Sequence, residues 1–422
     1  VAARVLRPFT PEPARTVRRA RLYHPATADP IDDALVACFA APASYTGEDV
    51  VEVTTHGGLV VPAAAVAAFV VAGARPAQPG EFTRRALQHG KMDLLQAEAT
   101  ADLIDAGSPA QRRRALHQLD RGLSGRLDAL RREILELEAL LAYDIDFPDE
   151  DDGVLDERRV RAAWATVRER VAHLLATAAE GERLREGALL VIAGPPNVGK
   201  SSLFNALLGR ERAIVTEIPG TTRDAIEAQA VIEGFPFRLV DTAGLRHADE
   251  RVERLGIEVS WRFLEAADLV LLCRECVVGG EGFTPVPEEF LARVRAPVVH
   301  VATKADLVQR ANGPAFQESV AVSVATGEGL AELRRRLAEA AFGKLIGLGD
   351  VEPVVTRARH RAALERALAE LDQFTRARAA GVETVAAATH LRAAVTALDD
   401  LIGVVTPDDV LDRVFAAFCV GK

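Results

Sequence analysis

The spacing of apolar and polar positions changes character along the chain. Leu189-Leu190-Val191-Ile192-Ala193 is an uninterrupted apolar run of strand length, which predicts a buried strand. Ser202–Leu208 follows with helical spacing, and Gly209 is its stop. Val231–Val240 predicts a hairpin, and Leu269–Leu272, Val298–Ala302 and Val320–Ser323 predict further strands between helical stretches. Strands alternating with helices over 186–344 predict a mostly parallel α/β sheet. Residues 92–185 are poor in glycine and rich in Ala, Leu, Glu and Arg. There Leu116, Leu119, Leu123, Leu127, Leu130, Ile134, Leu137 and Leu141 recur at helical spacing. They predict one long amphipathic helix ended by Pro148, with Gly122 and Gly125 as its weak points. Helix is expected again from Asp156 to Leu184, and residues 351–400 return to the same character. The economical arrangement is one discontinuous helical domain with the α/β unit inserted into it. Residues 1–91 predict a small α/β domain, with strands at Leu35–Phe39 and Val50–Val53 and a helix opened by Pro79-Gly80-Glu81-Phe82.

Composition narrows the function classes. The 422 residues carry a net charge of −10, which argues against broad, sequence-blind binding to nucleic acid. The local basic runs Arg18-Arg19-Ala20-Arg21, Arg112-Arg113-Arg114 and Arg334-Arg335-Arg336 read as solvated helix faces, and the acidic run Asp144–Asp152 as an interhelical loop. No apolar run is long enough for a membrane span, and no secretory leader is visible. Four cysteines, including one isolated Cys273-Arg-Glu-Cys276 pair, suit a reducing cytoplasm better than a zinc site. The chain opens on Val1 and reads as a truncated form.

The chemistry is concentrated after the apolar run. Gly194-Pro195-Pro196-Asn197-Val198-Gly199-Lys200-Ser201 fits the P-loop pattern, set between a strand and a helix as that motif requires. Its backbone N–H groups, through Ser202, are placed to cradle phosphates; Lys200 reaches the β and γ phosphates and Ser201 holds Mg²⁺. Asp241-Thr242-Ala243-Gly244 closes a strand about forty residues on, where Asp241 meets Mg²⁺ and the Gly244 amide senses the γ phosphate. In Gly220-Thr221-Thr222-Arg223-Asp224, Thr221 or Thr222 can close over Mg²⁺, and Arg223 is a candidate for stabilising transition-state charge. Thr303-Lys304-Ala305-Asp306 follows a strand, and Asp306 can accept from two guanine N–H groups, a pairing adenine does not offer. Ser323-Val324-Ala325 adds backbone contacts to the base. Together these point to GTP. Leu245 stands where a water-orienting Gln follows the D-x-x-G glycine in Ras-type enzymes, so another side chain must do that work.

Through nearly its whole length the chain resembles the tRNA uridine-modifying GTPases known as MnmE or TrmE. The marks are Tyr45-Thr46-Gly47-Glu48-Asp49-Val50, His56-Gly57-Gly58, Pro79-Gly80-Glu81-Phe82, Ile145-Asp146-Phe147-Pro148-Asp149-Glu150, the GTPase strings and the terminal Phe418-Cys419-Val420-Gly421-Lys422. The resemblance implies a cytoplasmic homodimer whose N-terminal domain binds a tetrahydrofolate derivative of 5-formyl or methylene type. It implies an FAD-dependent partner, GidA or MnmG, in a heterotetramer that modifies carbon 5 of the wobble uridine of certain tRNAs. It also implies potassium-stimulated hydrolysis. By motif, Asn197, Thr216, Ile218 and Thr221 match the potassium site, and Ser201 and Thr222 the Mg²⁺ ligands. Glu253 matches the acid that orients water, Cys419 the cysteine needed for modification, and Glu52, Lys91 and Lys422 the folate site. The domains implied are 1–91 (folate-binding type), 92–185 and 345–422 (helical) and 186–344 (G domain). The chain departs from the family pattern at its start, where an Arg-x-Ser-Gly-Pro segment is missing, at Thr303 in place of Asn, and at Val324 in place of Ala. The competing reading is a ribosome-assembly GTPase that grips RNA without modifying it.

Overall fold

The computed structural model describes residues 1–9, 17–146, 157–209, 227–241, 261–275, 293–307, 319–349, 352–403, 408–416 and 418. They divide into two compact units, residues 1–101 with 402–422, and residues 102–401.

In the first unit β1 (Leu6–Arg7), β2 (Arg18–Tyr23), β3 (Pro30–Phe39) and β4 (Val50–Thr54) form an antiparallel sheet in that order. The basic run at 18–21 is therefore a strand and not a helix face. Its period-two alternation turns Ala20 and Leu22 into the core and Arg19 and Arg21 outward, where both pair with Asp33 of β3. Ala65, Ala68 and Ala72, from the helix Val60–Val71 and its C-cap, pack on Val5, Leu6, Leu22 and Val36. The helix Asp408–Ala416 packs on Glu81–Gln88, with Phe415 and Phe418 buried against Ala97.

The second unit is built on a six-stranded sheet. Its strands are β5 (Ala188–Ala193), β6 (Glu227–Ile232), β7 (Phe235–Asp241), β8 (Leu269–Glu275), β9 (Val298–Thr303) and β10 (Ser319–Val322), in the order β10-β9-β8-β5-β7-β6. All neighbours are parallel except the β6–β7 hairpin. β5 is buried throughout because helices cover both faces. Leu190 and Ile192 face a layer that includes the helices Lys200–Leu208 and Leu330–Leu348, while Leu189 and Val191 face Leu264 and Val270. The hairpin turns at Glu233 and Gly234, both at positive φ as a tight two-residue turn demands. The Gly234 carbonyl accepts from the Ala110 N–H at 3.0 Å, at the start of the helix Pro109–Leu119.

The leucine periodicity at 116–141 does not lie on one helix. Pro109–Leu119 ends, and Gly122–Asp146 begins, across Asp120 and Arg121, the latter left-handed at φ 64°. The His117 ring packs over Gly122 at this corner, 2.2 Å from where a Cβ would stand. Leu123, Leu127, Leu130, Ile134, Leu137 and Leu141 are buried as expected, whereas Leu116 is 45% exposed and Ala110 and Ala115 are its helix's buried residues. Gly125 sits inside the second helix without interrupting it. Beyond it the helix expected over 156–184 is two, Glu157–Leu175 and Ala178–Glu186. Helices before and after the sheet pack together: Trp164 Nε1 donates to Leu371 O at 2.8 Å, and Arg168 and Arg131 pair with Asp372 and Asp399. Among the described residues no helix is long and apolar enough to cross a membrane.

Candidate GTP-binding site

The candidate nucleotide residues leave the sheet at one edge, the carboxyl ends of β5, β7, β9 and β10, where open α/β sheets bind ligands. The loop after β5 starts at Gly194, at φ 145°, where a Cβ would lie 2.3 Å from Cys273 O at the adjoining stretch of β8. Asn197 at φ 61° and Gly199 at φ 101° continue the loop in left-handed conformations, which gather successive N–H groups into an anion-binding hollow. Val198 is buried and anchors the loop in the core, while Asn197, Ser201 and Ser202 are exposed. Lys200 opens the helix Lys200–Leu208, and its Nζ donates to Gly194 O at 3.0 Å and Pro195 O at 2.7 Å. The ammonium is thus folded over the mouth of the loop.

Ser201 Oγ donates to Asp241 Oδ2 at 2.6 Å. Parallel pairing places Asp241 opposite Ile192, so the strand register carries the carboxylate to the phosphate loop. A hydroxyl and a carboxylate side by side are hard oxygen donors of the kind Mg²⁺ takes, together with waters and phosphate oxygens. No cluster of three or more His, Cys, Asp or Glu suited to a metal occurs among the described residues.

Thr303, at the end of β9, is 4% exposed. Its Oγ1 lies 2.7 Å from Val198 O and 3.1 Å from Arg274 O, tying the base-side stretch to the phosphate loop. Lys304, at φ 57°, pairs with Glu275 at 2.9 Å, and Asp306 is exposed on the 3₁₀ turn Ala305–Leu307. Ser323 is buried; its N–H donates to Glu328 O and its Oγ accepts from the Thr326 N–H, which shapes the loop that exposes Val324 and Ala325. Thr216, Ile218, Thr221, Thr222, Arg223, Thr242, Ala243, Gly244, Leu245, Glu253, Cys276, Cys419 and Lys422 lie outside the described residues. Cys273 is wholly buried, and burial pushes its thiol up to about 12, so it is an inert core group.

In the first unit, Glu52 is exposed on β4, and Lys91 donates to Pro42 O at 2.9 Å. His56 is held by Asp32, to which its N–H and Nδ1 both lie at 2.7 Å. Inspection of the sequence does not show how Glu48 and Glu81 are joined. Arg85 bonds Glu48 at 2.9 Å and Glu81 at 2.6 Å, Arg75 grips Glu81 through two nitrogens, and Tyr45 Oη lies 3.0 Å from Thr83 Oγ1. The two motifs are one carboxylate–guanidinium ladder. Only the arginines at 75 and 85, flanking Glu81, hinted at it. The arginine runs at 112–114 and 334–336 serve structure: Arg114 donates to Gly349 O and Glu352 O, Arg334 to Ala206 O, and Arg335 and Arg336 pair with Glu332.

Residues 1–91 match the family model described as the GTP-binding protein TrmE N-terminus, and residues 94–419 match that of the MnmE helical domain. The chain belongs to the MnmE family of tRNA modification GTPases. Among its MnmE relatives, the tRNA modification GTPase MnmE of Methylorubrum populi is 45% identical over 417 residues, 98% of this chain and 90% of that protein. The MnmE of Laribacter hongkongensis is 43% identical over 399 residues, 93% of this chain and 87% of that protein. The MnmE resemblance read through nearly the whole chain thus holds across both units.

Proposed function

We propose that this chain is a potassium-stimulated GTPase that works as a homodimer with an FAD-dependent partner of the GidA or MnmG type. The pair installs an aminomethyl or carboxymethylaminomethyl group on carbon 5 of the wobble uridine of certain tRNAs. The observation that carries the nucleotide half of this reading is the 2.6 Å contact of Ser201 with Asp241 at the rim of the phosphate loop. The match to relatives over both units supports the tRNA half.

In this reading the loop amides of Asn197–Ser202 hold the β phosphate. Lys200 exchanges its two loop carbonyls for the β and γ phosphates and neutralises their charge. Ser201 and Asp241, with Thr222, hold Mg²⁺, which when bound neutralises phosphate oxygens as charge develops on them. Asn197, with Thr216, Ile218 and Thr221, holds K⁺ in the role an arginine finger fills elsewhere. Glu253 orients the attacking water, a task Leu245 does not perform. Asp306 accepts from the guanine N–H groups. Glu52, Lys91 and Lys422 hold a tetrahydrofolate derivative, and Cys419 serves the modification step. The assignments fall in domains 1–91, 92–185 with 345–422, and 186–344.

The test is GTP turnover in potassium against sodium at equal ionic strength and at several protein concentrations. Stimulation by potassium that rises with protein concentration is the expected result. Equal, slow rates in both salts would refute the potassium-site and paired-domain reading. Cys419→Ser is expected to keep hydrolysis and lose tRNA modification.

A further inference from the structure

Thr303 has a geometry that bears on how the base is read. Its hydroxyl carries a single hydrogen. Two backbone carbonyls lie within its reach, Val198 O at 2.7 Å and Arg274 O at 3.1 Å, and the residue is buried against the loop that both help to shape. Whichever carbonyl takes it, that hydrogen is committed to the backbone. What remains on the oxygen is acceptor capacity.

Guanine's outer edge asks for the opposite, since N7 and O6 are both acceptors. Its N1–H and N2–H groups are matched by the Asp306 carboxylate. O6 is then left to the backbone N–H groups of the loop after β10, where the Ser323 N–H is bound to Glu328 O and Val324 and Ala325 are exposed. Lys304 is tied to Glu275 at 2.9 Å. We infer that Thr303 holds the phosphate loop in place but gives no hydrogen bond to the base, so that this chain selects guanine through N1, N2 and O6 and is indifferent to N7. The nucleotides it accepts therefore include those of 7-deazaguanine, in which N7 is a C–H. This rests on residues 303–306 forming the base-side stretch, as proposed above.

The experiment is equilibrium competition of GDP and 7-deaza-GDP against a fluorescent guanine nucleotide, using the full chain. Wild type is expected to bind the two within about twofold, whereas a hydrogen bond worth about 1 kcal/mol would separate them about fivefold. Thr303→Asn supplies two amide hydrogens, one for Val198 O and one for N7. It is expected to favour GDP by about fivefold or more. Thr303→Val loses the tether and is expected to weaken both ligands in parallel. A wild-type preference for GDP of fivefold or more, or a Thr303→Asn variant that still binds both alike, overturns the inference. Asp306→Ala separates this from the reading beneath it: if that variant binds GDP as wild type does, the base-side assignment itself fails.

Discussion

Gly194→Ala is the substitution whose cost follows most directly from the coordinates. The backbone there sits at φ 145°, a region that side chains of L residues rarely enter, and a Cβ would stand 2.3 Å from Cys273 O. The oxygen belongs to the backbone of a central strand and has no room to yield. Backbone strain of about 1–3 kcal/mol adds to an overpacking cost of about 1–3 kcal/mol, giving roughly 2–6 kcal/mol. For the α/β unit this corresponds to a fall in Tm of roughly 5–20 °C. GTP binding should suffer as well, because the displaced loop is the phosphate cradle. Gly125→Ala is the control: it lies within the helix Gly122–Asp146 with nothing within 4 Å of a Cβ, so alanine should be neutral or stabilise by up to about 1 kcal/mol. Thermal denaturation followed by circular dichroism, with and without GDP, reads both. A Gly194→Ala protein that melts within about 2 °C of wild type and binds GDP unchanged would show that the loop does not approach β8 as described.

Ser201→Ala removes a hydroxyl bonded to a carboxylate, an interaction of about 1.5–3 kcal/mol. It also removes an oxygen proposed to hold Mg²⁺, so the Mg²⁺ concentration giving half-maximal GTP turnover should rise, and an unchanged Mg²⁺ titration would argue against its role as ligand. Glu81→Gln tests the motif ladder: Arg75 first, then the Gln78 N–H and Arg85, hold the Glu81 carboxyl down at about 2. A depressed carboxylate stabilises the fold fully above its unfolded value of 4.5, and that contribution is lost as pH falls toward 2. The variant should melt lower at pH 7 and show a flatter decline in Tm below pH 4.5; parallel curves would refute the assignment. Cys273, its thiol raised to about 12 by burial, should resist iodoacetamide at pH 8 until denaturant is added, while the half-buried Cys38 reacts first in peptide mass analysis.

The parts legible in the sequence were those with one physical interpretation. A five-residue apolar run has to be a strand covered on both faces, and the glycine and lysine spacing after it has to close over phosphates. β2 escaped because its period-two signal is carried by arginines, whose partner Asp33 becomes a neighbour only once β3 folds back beside it. The helix break at Asp120–Arg121 was signalled only by Gly122 as a weak point, because the leucine spacing runs through the corner undisturbed. Leu116 obeys the periodicity but is exposed, because the chain turns at the left-handed Arg121 beyond the end of its helix. The departure at Thr303 was visible, but its bonds to Val198 and Arg274 were not, since those strands meet only in the assembled sheet. The motifs expected to surround the γ phosphate were also visible as residue types in order. The proximity of Ser201 and Asp241 followed only from the parallel register of β5 and β7.

The β6–β7 hairpin is a stiff bar with different attachments at its two ends. Its open end joins the stretches expected to sense the γ phosphate, since β6 begins just after Gly220–Asp224 and β7 ends on Asp241. Its closed end is pinned by the Ala110–Gly234 hydrogen bond to a helix of the helical segment. Seven residues of strand make β7 about 20 Å long. Because β7 carries Asp241 at one end and the turn held by Pro109–Leu119 at the other, a single strand joins the candidate nucleotide edge of the sheet to the helical segment.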